Sequence, residues 1–214
     1  PKITFDEFNN KYITGNKKPI LLILPGSRKP EIDKLLNIYL NAVENCNFYD
    51  NFSLVLPIKK QLASYVRNII KAKNISFDVT ILDNEEAKYE SFVVADYAIA
   101  TSGTVALELS YFNIAYLVAY KFNFFSYAII KSLAQTKFAN LINIINNQGD
   151  IPELLQTQCT ADKIGKKLEK IIVDDEYKKS ILHASEVAIA QLNCKENPSS
   201  LAAKEVIHML KNGK

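Results

Sequence analysis

Apolar runs alternate with amphipathic stretches along most of the chain. "PILLILP" (19–25) is continuously apolar and ends at proline and glycine, the pattern of a central strand covered on both faces. In the next stretch, "EIDKLLNIYLNAVENC" (31–46), Ile32, Leu35, Leu36, Tyr39, Leu40 and Val43 share one helical stripe. The couplet then repeats. Strands are expected at 52–57, 76–82, 96–100 and 114–120, with helices at 60–72, 85–95 and 104–112 between them. Beyond residue 121 the pattern changes: 124–134 reads as a helix and "TKFANLINII" (136–145) as a short sixth strand or a loop. Three helices are expected at 160–173, 175–193 and 199–212, the last opening where Pro198 and two serines mark a helix start.

Strands that alternate with helical crossovers of about a dozen residues or more imply a parallel sheet with helices on both faces. The expected class is therefore α/β, a Rossmann-like parallel sheet with a helical C-terminal extension. Residues 1–18 are polar and irregular in pattern and read as a linker or hinge, which suggests that the chain is the second half of something larger. The α/β domain is expected over 19–174 and the C-terminal helices over 175–214.

Composition narrows this picture in only a few places. A hydrophobic content of 48% with 23% charged residues suits a soluble globular protein with a real core. The net charge is +3 and the basic residues are scattered, so nucleic acid is not indicated as a partner. The pairs Lys59–Lys60 and Lys166–Lys167 read as solvated helix faces. Cys46, Cys159 and Cys194 have no CxxC spacing, so neither a disulfide framework nor a metal site follows, and a reducing compartment fits. His183 and His208 stand in helical sequence with no motif around them. No apolar run reaches the roughly 18 residues that a membrane span requires.

Candidate chemistry sits in two turns at the carboxyl ends of expected strands, where doubly wound sheets bind ligands. In "LLILPGSRKPEI" (21–32), Gly26 permits a backbone geometry closed to other residues and Ser27 can cap a helix or bind an oxyanion. Arg28 offers bidentate contact to phosphate, and Glu31 is placed to hold that guanidinium. A helix start with an Arg–Glu surface pair explains the same residues equally well. In "ATSGTVALELS" (100–110), Ser102, Gly103 and Thr104 open a helix whose free N–H groups suit phosphate. Glu108 lies one turn on, where a carboxylate suits sugar hydroxyls; the competing reading puts it on a solvent face. Without GxGxxG or GxxxxGK[ST], the turns argue against NAD, FAD or a P-loop, and no cofactor is expected.

The segments "LPGSRKPEI", "VADYAIATSGTVALE", "LVAYKFNFFSYAIIKSLAQTKFANLINII" and "IPELLQ" resemble, in order and spacing, the C-terminal half of lipid-A-disaccharide synthases. These are inverting glycosyltransferases of GT-B architecture from Gram-negative bacteria. The resemblance covers about residues 19–175. It implies transfer of a 2,3-diacylglucosamine from its UDP donor to 2,3-diacylglucosamine 1-phosphate, with this chain as the UDP-sugar-binding half. It implies that Arg28, Ser102, Gly103 and Thr104 meet the donor phosphates, Glu108 the ribose, and Asn143 the donor sugar, with Ser27 a further substrate-binding candidate. The catalytic base is implied to be an aspartate of an N-terminal domain, so no catalytic residue is expected here. Of the aspartates near loop or strand ends, Asp96 starts a strand at the wrong end of the sheet, Asp83 lies toward the sheet edge, and Asp150 belongs to a loop. The lipid substrates imply a cytoplasmic protein, peripheral on the inner face of the inner membrane. Phe122, Phe124, Phe125 and Tyr127 are candidates for the membrane surface, against ordinary core packing with Phe125, Ile129 and Leu133 at core spacing. Two other readings share the turns: another UDP-sugar GT-B enzyme such as a UDP-GlcNAc 2-epimerase, and a non-catalytic α/β binding domain.

Overall fold

A computed structural model of the chain describes residues 2–13, 17–47, 49–121, 137–192 and 198–212. Six parallel strands form one sheet in the order β3-β2-β1-β4-β5-β6. They are β1 (Ile20–Leu24), β2 (Ser53–Pro57), β3 (Val79–Leu82), β4 (Tyr97–Ala100), β5 (Ala115–Tyr120) and β6 (Glu153–Leu155). β1 lies between β2 and β4, with Leu21 opposite both Leu54 and Tyr97. Every residue of β1 and β4 is buried, which is why both read as unbroken apolar runs.

The crossover helices are α2 (Lys29–Glu44), α3 (Lys60–Lys73), α4 (Glu85–Val94) and α5 (Val105–Tyr111). All six apolar positions of the α2 stripe are buried, and the Tyr39 hydroxyl donates to the Ala119 carbonyl of β5.

Two regions depart from the pattern read along the chain. The expected linker at 1–18 contains a helix, α1 (Phe5–Tyr12). Thr4 Oγ accepts the Glu7 N–H at 3.3 Å and Glu7 returns a carboxylate to the Thr4 N–H at 2.8 Å, a reciprocal cap. Phe8 is fully buried, and Lys11 and Tyr12 reach Glu90 of α4 at 3.0 and 2.6 Å. The Tyr12 hydroxyl beside it, with Lys11 adding, holds the Glu90 carboxyl below the usual range. The second departure falls in the expected strand or loop at 136–145: Leu141–Asn146 is a short helix, α6, capped by the Asn140 side chain. The sixth strand is instead the "ELL" of 153–155. The expected helix at 124–134, the aromatic group Phe122, Phe124, Phe125 and Tyr127, and Cys194 lie outside the described residues.

Three further helices are α7 (Ala161–Val173), α8 (Asp175–Leu192) and α9 (Pro198–Asn212). α8 packs on α5, α6, α7 and β5, with Ser185 and Ser110 hydroxyls 3.0 Å apart in the core. Among the described residues no helix is long and apolar enough to cross a membrane. Cys46 and Cys159 are buried and form no disulfide among the described residues, and burial pushes the Cys159 thiol up to about 11.

Candidate functional site

The sheet order reverses between β1 and β4. The connection from β1 leads away to β2, and the one from β4 leads to β5 on the opposite side, so the loops leaving these two adjacent strands separate and open a crevice. A cleft of about 830 Å³ lies there. Gly26, Ser27, Arg28 and Glu31 line one wall, and Thr101, Ser102, Gly103, Thr104 and Glu108 line another. The two turns singled out in the sequence thus meet at one site.

The first turn is closed by its own carboxylate. Glu31 does not hold the Arg28 guanidinium; its Oε2 instead accepts the backbone N–H of Ser27 at 2.9 Å and of Arg28 at 3.3 Å. Gly26, at φ +113°, lies so near that an added Cβ would stand 2.3 Å from that oxygen. The Arg28 side chain is left at the cleft with no ion pair among the described residues.

The second turn is open. Gly103 has φ +128°, and an added Cβ there would meet nothing within 4 Å. The N–H groups of Ser102, Gly103 and Thr104 take no hydrogen bond within the described residues, and Thr104 caps α5 without using its hydroxyl. Ser102 donates its hydroxyl proton to the Ala139 carbonyl at 2.9 Å, which leaves its oxygen able to accept but not to donate to a ligand. Glu108 is half-buried at the cleft and pairs with Lys88 of α4 at 2.7 Å.

Asn143 is not part of this cleft. It is 1% exposed, its Nδ2 donates to the Ile151 carbonyl at 2.8 Å and to Glu153 at 2.7 Å, and its Oδ1 accepts the Ile151 N–H at 2.9 Å. Every polar atom of its amide is therefore spent on the fold. Glu153 also accepts the N–H groups of Ala139 and Asn140, so this buried network fixes the segment whose carbonyl holds Ser102. Asn140 reaches the Tyr116 hydroxyl at 3.4 Å, and burial pushes that phenol up to about 12.

Several cleft residues carry no motif. Lys59 and Lys60 follow β2, and rather than merely covering a helix face they line the cleft, exposed and without ion pairs among the described residues. Asp83 follows edge strand β3, as read, and pairs with Arg67 at 3.2 Å while facing the same space. The rule that flagged the two turns, position at a strand's carboxyl end, applies equally to Lys59 and Asp83. Lys88 had no such signal, because α4 has no one-sided apolar stripe to orient it. Asp96 accepts the Ile20 N–H at 2.9 Å at the amino end of β1, away from the cleft. The lining holds four cations, Arg28, Lys59, Lys60 and Lys88, and four carboxylates, Glu31, Asp83, Glu85 and Glu108. Arg28 and the N–H groups of residues 102–104, which have no partner among the described residues, are the groups suited to an anion. Among the described residues no cluster of three or more His, Cys, Asp or Glu is placed to hold a metal ion.

The lipid-A-disaccharide synthetase family model matches residues 5–207. Lipid-A-disaccharide synthases of Rickettsia prowazekii and Rickettsia bellii are 33% and 36% identical to this chain, each aligned over 86% of it and 49% of their own length. That of Rhodospirillum centenum is 27% identical over 96% of this chain. The chain spans about half the length of the curated relatives it matches. Among solved structures, UDP-GlcNAc 2-epimerase from Neisseria meningitidis bound to UDP-GlcNAc aligns with a TM-score of 0.56 at 16% identity, over 87% of this chain and 48% of that one. WaaG, a glycosyltransferase involved in lipopolysaccharide biosynthesis, aligns with a TM-score of 0.57 at 13% identity, over 98% and 51%. At these identities the structural likeness is one of fold.

Proposed function

The chain belongs to the lipid-A-disaccharide synthetase family, and from that premise we propose that it is the UDP-sugar-binding half of a glycosyltransferase of lipid A biosynthesis. The reaction is transfer of a 2,3-diacylglucosamine from UDP to 2,3-diacylglucosamine 1-phosphate, giving the disaccharide 1-phosphate and UDP. The observation that supports it most is the convergence of the Gly26–Arg28 and Ser102–Thr104 turns on one cleft at the sheet's switch point.

In this reading residues 19–174 form the nucleotide-sugar-binding domain. The diphosphate lies between the free N–H groups of residues 102–104 and the Arg28 guanidinium, with the Ser27 side chain beside it. Glu108, further along α5, accepts hydroxyls of the ribose. As the bond from the sugar's anomeric carbon to UDP breaks, negative charge grows on the departing diphosphate. Unpaired Arg28, with Lys59 and Lys60 on the neighbouring wall, stabilises that charge. The acceptor hydroxyl must lose its proton as it attacks the opposite face of the sugar. Of the cleft carboxylates, Glu31 is engaged on backbone, Asp83 on Arg67 and Glu108 on Lys88, and Glu85 stands exposed at the start of α4; the family resemblance assigns the base to an aspartate outside this domain. The lipid acceptor and a peripheral site at the inner membrane belong to the same proposal.

Titration with UDP tests it. The chain binds UDP, and Arg28→Ala weakens binding by about 1.5–3 kcal/mol, the cost of losing a charge-assisted contact. No binding by the unaltered chain, or equal binding by the variant, overturns the assignment.

A further inference from the structure

Glu108 does not face the cleft alone. Its partner Lys88 comes from a different crossover, α4 after β3, and the two side chains meet with Nζ 2.7 Å from Oε2. Both line the cleft, and each is only about a third exposed, at 27% and 31%. The lysine is itself seated: its ammonium lies 4.9 Å from the Tyr89 ring centroid and 5.2 Å from that of Phe92, a residue with no exposure. Aromatic faces on one side and a carboxylate on the other confine a side chain that would otherwise sample many rotamers. The second carboxylate oxygen, Oε1, takes no hydrogen bond among the described residues.

We propose that Lys88 is a positioning residue for recognition of the donor's ribose, an inference that rests on the reading of this cleft as a UDP-sugar site. By engaging Oε2, the ammonium fixes the plane of the Glu108 carboxylate and leaves Oε1 to accept from a ribose hydroxyl. The same contact offsets a negative charge that would otherwise face the diphosphate. A mobile, unpaired carboxylate at this place would spend its hydrogen-bonding capacity on water and discriminate poorly between a ribose and a sugar without hydroxyls. Lys88 thus acts through Glu108 and touches no reacting atom.

The test measures affinity for UDP and for 2′,3′-dideoxy-UDP side by side. The wild-type chain prefers UDP by about tenfold, the smaller end of what one charge-assisted hydrogen bond supplies. Lys88→Met brings the two affinities together by lowering that for UDP, while Lys88→Arg retains most of the preference. In a Glu108→Gln background, Lys88→Met has no further effect on the ratio. Thermal unfolding of each variant accompanies the titrations, and Lys88→Gln is the second neutral variant if Lys88→Met does not fold. If the wild type binds neither nucleotide, the donor-site reading fails and the positioning role with it. If it prefers UDP and both neutral variants keep the same preference, only the positioning role fails. Equal losses for both nucleotides overturn it too, since they make Lys88 a counter-charge for phosphate, and so does a wild type that binds both equally.

Discussion

The two turns of the cleft each contain a glycine at positive φ, but for opposite reasons. At Gly26 the backbone is packed against Glu31 so closely that no side chain fits, and the carboxylate occupies the N–H groups of Ser27 and Arg28. At Gly103 the space is empty and the neighbouring N–H groups are unspent. The first turn is therefore a rigid mount that presents one side chain, Arg28. The second is a backbone surface left open to a ligand, and it is held from behind by the Asn143–Glu153 network acting through the Ala139 carbonyl on Ser102. A ligand's close approach needs space in front and rigidity behind, and the molecule supplies these from different parts of the chain.

Substitutions that treat the two glycines alike separate these roles. Gly26→Ala has the largest effect: a Cβ 2.3 Å from Oε2 and 2.6 Å from the Cβ of Glu31 evicts the carboxylate from a backbone already at positive φ. Overpacking and backbone strain together lower stability by about 3 kcal/mol in chemical denaturation. A loss as small as that of a surface substitution would mean that Glu31 does not hold this turn closed.

Next comes Asn143→Ala, which strands the Ile151 N–H and carbonyl in a buried site. The unpaired groups cost about 2 kcal/mol of stability. UDP affinity of the folded variant falls by less than that of Arg28→Ala, because the support behind Ser102 loosens while no ligand contact is lost. A loss of UDP affinity as great as that of Arg28→Ala would put Asn143 on the ligand after all.

Gly103→Ala is the mildest for the fold. It meets no atom, so it carries only the strain of its φ, about 1 kcal/mol. The new methyl group stands in the open space before the free N–H groups, so UDP binding falls while the unfolding midpoint moves little. A variant that binds UDP as well as the unaltered chain would show that the ligand does not approach this turn.

Much of the fold was legible because it depends on local period. The buried runs of β1 and β4 and the α2 stripe are properties of neighbours along the chain, and a parallel sheet follows from their alternation with helices. α1 was legible too, in the Thr4–Glu7 cap of "TFDE", but the polar composition around it pointed to a linker. β6 was hard to see because its three residues are too few for a period and its Glu153 serves a network spread over residues 139–153.

Sequence by itself determined the α/β class, five of the sheet's six strands and the residue types of both turns, since each rests on the order of apolar, glycine and hydroxyl residues over a few positions. Only the tertiary structure decided how the charged groups are used. Glu31 serves backbone and not Arg28, Asn143 is spent inside the fold and does not line the cleft, and Lys88 stands at Glu108 from 20 residues away. A charged or amide side chain reaches partners on any element that packs beside it. Its role is therefore set by which crossovers the sheet brings together, and no local pattern records that.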